Sequence, residues 1–271
     1  MMDWLVPAGV DNVNLAIYMP IAAVAMLLMA VSKGGFGGGA GVIATPLLMT
    51  QLPAAVATGM WLPLLIVCDL LSLREYPREG RWRAIWLLAP WTLTGIIVGR
   101  MMFGLVDSRH IKLTVGLLGV AFLILQWVRT RVERYAEHLD TGWNPRWYHA
   151  MPFGLSAGVS TSLAHAAGGI ITMFLLPQKM PPRQFVGTSV RYYLIFNSIK
   201  LPIFLMGADP LVTGTTFKAS LWLIPLAPVG VALGAWLHRK LRPDIFNVII
   251  YIILAATSVS LVVQNMLPRP L

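Results

Sequence analysis

The feature that most constrains this chain is a series of apolar runs separated by short gaps that hold nearly all of its charge. A helix needs about 20 apolar residues to cross roughly 30 Å of hydrocarbon. Ten apolar segments can be read, at 15–32, 38–51, 54–73, 84–103, 110–128, 148–164, 166–178, 185–206, 217–237 and 245–264. The second and seventh are too short to cross comfortably, and each follows or carries a glycine-rich stretch. In hydrocarbon every backbone polar group must be paired, so broken helix is tolerated only against protein or a wet cavity. Two short, glycine-interrupted segments therefore point to a cavity.

Composition supports the same solvent. Of 271 residues, 57% are hydrophobic and 12% charged, against about 25% charged in a soluble domain. The mean hydropathy is +0.70. The formal net charge of +10 does not gather into an aromatic-lined patch but lies in the gaps between apolar runs. That placement fits topology signals and anionic lipid rather than nucleic acid. The single cysteine, Cys68, lies in an apolar run and can form neither an intrachain disulfide nor a zinc site. No basic stretch, short apolar core and small-residue cleavage site open the chain, so the first span is expected to act as its own insertion signal.

The two halves resemble each other. At an offset of 128, VSKGGFGGGAGVIATPLL lies over VSTSLAHAAGGIITMFLL; Gly41 meets Gly169, Pro53 meets Pro181, Gly59 meets Gly187, and Asp69 falls on Asn197. At an offset of 135, Pro90, Gly95 and Gly99 meet Pro225, Gly230 and Gly234. Matched glycines and prolines weigh more than matched leucines because each answers a backbone need. The expected layout is an all-α polytopic membrane protein: a tail at 1–14, a first repeat at 15–128, a polar linker at 129–147, a second repeat at 148–265 and a tail at 266–271.

Five segments per half invert the second copy. With both termini outside, the inside loops hold Arg74, Arg78, Arg81, Arg83, Arg129, Arg131, Arg134, Arg146, Lys179, Arg183, Arg239, Lys240 and Arg242. The outside loops hold only Arg109, Lys112, Lys218 and Arg269. This is the positive-inside bias of a bacterial-type inner-membrane protein. Inverted repeats with broken helices at matching places are a common plan of secondary transporters, with the site near the midplane.

Stretch 32–41, SKGGFGGGAG, lacks the lysine and hydroxyl order of a phosphate loop. Its glycines, Gly34, Gly37, Gly38 and Gly39, can instead unwind a helix and free N–H groups that attract anions. The equivalent stretch, 160–169, offers the Ser160, Thr161 and Ser162 hydroxyls, His165 and Gly168. Close helix packing is the plainer use of such glycines, as it is for the small-xxx-small pairs Gly95–Gly99, Gly154–Gly158 and Gly230–Gly234. Lys33 is an anion ligand or a snorkelling base. Arg191 lies six residues into an apolar span, where it serves anion binding or gating, or pairs with Asp69 or a carbonyl. Lys200 is nine residues further on, 2.5 turns away, and faces another direction. It is an access charge or it snorkels. Asp69, the one carboxylate well inside a span, either carries a proton or pairs with a base. Asn197 offers an amide at the related place, and His165 is a titrating or a hydrogen-bonding residue. Lys33, the five glycines, Ser162, His165, Arg191 and Asn197 are thus candidate substrate ligands, with Asp69 and Lys200 as coupling or gating groups.

These motifs carry a family resemblance. G-G-x-G-G-G followed by T-P-L-L and A-V-A-T, then A-H-A-A-G-G, F-V-G-T-S and F-N-S-I-K-L-P, resembles the TauE/SafE family of sulfite and organosulfonate exporters over residues 17–264. The second copy departs from the glycine-triplet form, with His165, Ala166 and Ala167 before Gly168 and Gly169. The resemblance implies transport of small sulfur-containing anions such as sulfite, thiosulfate or short sulfonates.

The expected function is therefore secondary transport of such an anion, in the export direction, by alternating access. No cofactor or metal is implied; the partners are the anion and lipid, and a homodimer is left open. Fixed N–H dipoles and one or two basic side chains offset anion desolvation. A passive anion channel is the alternative, which saturable counterflow separates. A membrane enzyme is disfavoured because H-E-x-x-H, G-x-S-x-G and clustered in-span carboxylates are missing from the sequence.

Overall fold

A computed structural model describes residues 10, 13–35, 41–136, 143–206, 209–240 and 243–266, and all regular structure among them is helical. In chain order these are α1 (Leu15–Gly35), α2 (Gly41–Met49), α3 (Ala54–Glu75), α4 (Trp82–Leu105), α5 (Ser108–Ala136) and α6 (Trp147–Ala164). They continue as α7 (Gly168–Leu175), α8 (Pro182–Leu205), α9 (Gly214–Ser220), α10 (Leu226–Lys240) and α11 (Pro243–Met266). Single 3-10 turns extend α7 through Gln178 and α9 through Leu223.

The helices cover the expected segments with two corrections. Segment 217–237 is not one helix: α9 and α10 meet at a bend of 52°. Pro225 stands at the break, where it withholds an N–H and crowds the carbonyl one turn back. Helix α5 also runs on through Ala136, into residues expected to form the linker. The two short segments are α2, of 9 residues, and α7, of 8. At 1.5 Å per residue each spans about 12–14 Å, under half the hydrocarbon thickness.

Among the described residues three helices, α1, α3 and α4, are long and apolar enough to cross a membrane alone, and the bent α9–α10 pair makes a fourth. Helix α8 is as long as α4 but carries Arg183, Arg191 and Lys200. The outer surface is apolar, with Trp86, Leu105, Ile124, Trp127 and Ile252 exposed, while polar side chains such as Asp69, Thr161 and Lys200 are buried. Lipid, not water, suits that arrangement.

Packing follows the small residues. Helix α4 lies on α6, and a Cβ on Gly95 or Gly158 would collide with the facing backbone carbonyl of Leu155 or Thr92. Helix α1 lies on α10 in the same way, through Gly34 against Val231 and Gly234 against Val31. Close backbone approach of this kind brings dispersion and weak C–H···O contacts that a side chain would abolish. Helices α3 and α8 pack together near the middle of the bundle, and α5 packs on α11. Trp61 of α3 ties down α2 by donating its indole N–H to the Ala44 carbonyl at 3.1 Å.

Candidate functional site

Four elements converge on a buried polar cluster: the C-terminal ends of α1 and α6, and the middles of α3 and α8. From α1, Lys33 Nζ forms an ion pair with Asp69 Oδ1 of α3. The second oxygen of Asp69 accepts the Asn197 amide from α8 at 2.7 Å. The Tyr193 ring lies beside Lys33, its centroid 4.9 Å from Nζ, a favourable placement for a cation over a π face. One helical turn beyond Asn197, and on the same face, stands Lys200.

Lys200 Nζ has three acceptors: the Thr161 carbonyl at 3.1 Å, Thr161 Oγ1 at 2.9 Å and His165 Nδ1 at 2.9 Å. The other nitrogen of His165 lies 2.9 Å from the Thr58 carbonyl. A carbonyl only accepts, so Nε2 carries the proton and Nδ1 is bare to receive Lys200. The imidazole is therefore held neutral by its neighbours. Its backbone is left-handed, φ 53° and ψ 30°, and closes α6: His165 N–H donates to the Thr161 carbonyl at 3.1 Å and Ala166 N–H to Ser160 at 3.3 Å. A glycine would adopt this cap without cost. A histidine persists there because both ring nitrogens are fixed, and backbone strain of this kind clusters at functional sites.

Lys33 and Lys200 do not snorkel, in correction of that alternative: their exposures are 3% and 0%. The reason is the partners above, which hold both side chains inside the protein. Asp69 is paired with a base, though with Lys33 rather than Arg191.

Arg191 lies apart from the cluster. Its guanidinium donates to the carbonyls of Glu79, of Gly187 at 3.0 Å and of Pro77 at 2.7 Å. It thereby pins the α3–α4 connection onto the first half of α8. The exposed Arg183 assists with a 3.0 Å bond to the half-buried Glu79 carboxylate, which holds that carboxyl below its ordinary range. Arg191 and Arg74 also line an open cleft of about 580 Å³ beside Pro77 and Trp82. The 2.5-turn spacing from Lys200 is expressed as two separate environments.

The remaining candidates are placed as follows. Gly34 serves the α1–α10 contact. Gly37, Gly38 and Gly39 lie outside the described residues. The Ser162 hydroxyl donates to the Ile96 carbonyl of α4 at 3.0 Å. Gly168 opens α7, and the amides of Gly168, Gly169 and Ile170 precede the first bond of that helix, from Ile171 N–H to the Ala167 carbonyl at 2.9 Å. An apolar cavity of about 440 Å³ adjoins the starts of α2 and α7, lined by residues such as Val42, Phe122, Phe153 and Ile170. It offers an anion little.

Sequence reasoning named the Thr161 hydroxyl but missed Thr58, Ser72 and Tyr193. Ser72 Oγ and Tyr193 Oη are buried without a hydrogen-bond partner among the described residues. Ser72 is one turn from Asp69 on α3, and Tyr193 one turn from Asn197 on α8. A buried hydroxyl left unpaired costs about 1–3 kcal/mol, and these two stand one turn from residues of the cluster. The three-residue step from Asp69 was the available signal for Ser72.

A chain whose described residues form only helices, with an apolar exterior and a cluster of buried charged groups, is a polytopic membrane protein in class, and the family it belongs to makes it a membrane transporter. Comparison with known proteins identifies the family. The model for the sulfite exporter TauE/SafE family matches residues 21–261, and the chain belongs to that family. It is similar to the probable inner membrane transporter protein TsaS of Comamonas testosteroni, at 27% identity over 184 residues, covering 68% of this chain and 73% of that one. No solved structure matches it.

Proposed function

We propose that the chain is a secondary transporter that exports a small sulfur-containing anion, sulfite or a short sulfonate, by alternating access between two inverted five-segment repeats. The observation that carries this reading is the bond between Asp69 and Asn197. They are 128 residues apart, the repeat offset itself. A residue and its own repeat equivalent meet only on the axis relating the two copies. Other contacts support the axis. Gly234 meets the Val31 carbonyl, and its equivalent Gly99 meets that of Val159. Gly34 meets Val231, and its equivalent Ser162 bonds Ile96. Gly59 packs on Leu211 in the α8–α9 connection, and Gly187 on Glu79 in the α3–α4 connection.

Lys33, Lys200 and the hydroxyls of Ser72 and Tyr193 lie beside that axis, the donors an oxyanion requires. The α7 amides add dipoles of the same sign. The cleft lined by Arg74 and Arg191 forms a basic vestibule that concentrates anions. An inside-negative potential favours expulsion by about 2.3 kcal/mol per charge per 100 mV. The test is counterflow of sulfite or a sulfonate in proteoliposomes. Saturable counterflow is expected, and it is expected to be lost in Lys33→Ala and in Lys200→Gln. Flux and binding intact in both variants would remove the reading; flux without counterflow would make the protein a channel.

A further inference from the structure

We infer that the buried cluster is charge-matched to a singly charged oxyanion, so that the protein discriminates monoanions from dianions of the same shape. This rests on the anion-transport reading above and deepens it to the valence of the cargo.

Five side chains of the lysine, arginine, histidine and carboxylate types are buried among the described residues: Lys33, Asp69, His165, Arg191 and Lys200. Arg191 has its own carbonyl acceptors at the α3–α4 connection and belongs to the vestibule. His165 is neutral, because its two nitrogens have fixed and opposite roles. Lys33 and Asp69 cancel. The groups facing Lys200 are Thr161 and His165 from the end of α6, with Lys33 of α1 and Asp69 of α3 within electrostatic reach. No carboxylate stands in ion-pair range of Lys200 among the described residues. When Lys200 takes its ammonium form beside a bound anion, it gives the cluster one positive charge with no carboxylate partner among the described residues.

A buried charge without a counter-ion is strongly disfavoured. One negative charge beside the cluster removes the imbalance. Two negative charges replace an excess of one sign with an excess of the other, in the same low dielectric. A sulfonate or bisulfite thus fits, while sulfate or the sulfite dianion does not. The orphaned donors Ser72 Oγ and Tyr193 Oη are neutral. They add hydrogen bonds to the oxyanion without altering the sum.

Methanesulfonate and sulfate test this cleanly, since they are near-isosteric tetrahedra that differ by one charge. Binding of each is measured on the purified full chain in detergent at neutral pH. The wild type is expected to favour methanesulfonate by at least about tenfold, or 1.4 kcal/mol. Asp69→Asn raises the cluster sum by one and is expected to move that ratio at least about tenfold toward sulfate. Lys200→Gln lowers it by one and is expected to weaken methanesulfonate without improving sulfate. Equal affinities in the wild type, a preference for sulfate, or a folded Asp69→Asn protein with an unchanged ratio would overturn the inference and leave anion transport standing. Binding of neither ion by the wild type would remove both. If Asp69→Asn does not fold, the wild-type ratio and Lys200→Gln decide.

Discussion

The two halves of α8 hold a buried basic residue each and use it differently. In the first half, Arg191 is enclosed by carbonyl oxygens of its own helix and of the α3–α4 connection. In the second, Asn197 and Lys200 meet side chains of α3 and α6. A guanidinium spreads five N–H donors over a fork that neutral carbonyls can fill, so it holds backbone in place. Lys200 directs three hydrogen bonds at Thr161 and a neutral imidazole, with no carboxylate in ion-pair range among the described residues. The partner set, more than depth or charge, separates the anchor from the proposed ligand.

The sharpest way to break this comparison is to leave a charge in the central half without its partner. Asp69→Ala strands Lys33 and removes the acceptor of Asn197. The expected loss is about 3–5 kcal/mol of stability, the cost of an orphaned buried ion. The double variant Lys33→Met/Asp69→Leu is expected to recover most of that loss, measured by thermal unfolding in detergent, yet to remain without flux. If the single variant melts like the wild type, the pair is not a buried ion pair and the central half of α8 has been misassigned.

Releasing the anchor is the next largest step. Arg191→Ala removes a donor from three carbonyls, and the expected cost is about 1–3 kcal/mol. Hydrogen exchange is expected to rise in residues 77–81, while anion affinity changes by less than about threefold, because the charge sum of the central cluster is unaltered. A larger loss of affinity with unchanged exchange would return Arg191 to the binding site and merge the two halves.

Much of this division was legible in the sequence. The apolar runs marked the helices, because hydrocarbon leaves few ways to hide a backbone. The 128-residue offset paired Asp69 with Asn197, and the 2.5-turn spacing separated Arg191 from Lys200. What the sequence did not disclose was long-range. The carbonyls of Pro77 and Glu79 lie 114 and 112 residues from Arg191, and Thr161 lies 39 from Lys200. Such partners depend on how helix ends pack, which periodicity does not encode. Ser162 illustrates the converse, since a hydroxyl in a promising motif turned out to hold α6 on α4. The break in the ninth segment was visible as Pro225, but Pro90 at the equivalent place lies inside an unbroken α4, so proline alone did not decide it.

The smallest expected effect belongs to the exposed edge of the anchor. Glu79 accepts from Arg183, and that bond holds its carboxyl below the ordinary value. A depressed value in the folded state means that the unfolded chain takes up its proton first as pH falls. The contribution is therefore complete above about pH 4.3, the unperturbed glutamate value, and fades as pH drops through the lower folded one. Both side chains meet solvent, so screening keeps the effect slight. Melting curves from pH 6 down to pH 3 are expected to converge for wild type and Glu79→Gln at the acid end and to part slightly at the neutral end. A difference that grows toward acid would reverse the sign and place the support of the α3–α4 connection elsewhere than in this pair. A difference removed by about 0.5 M salt would mark it as a surface interaction, in contrast to the carbonyl bonds of Arg191 one layer beneath.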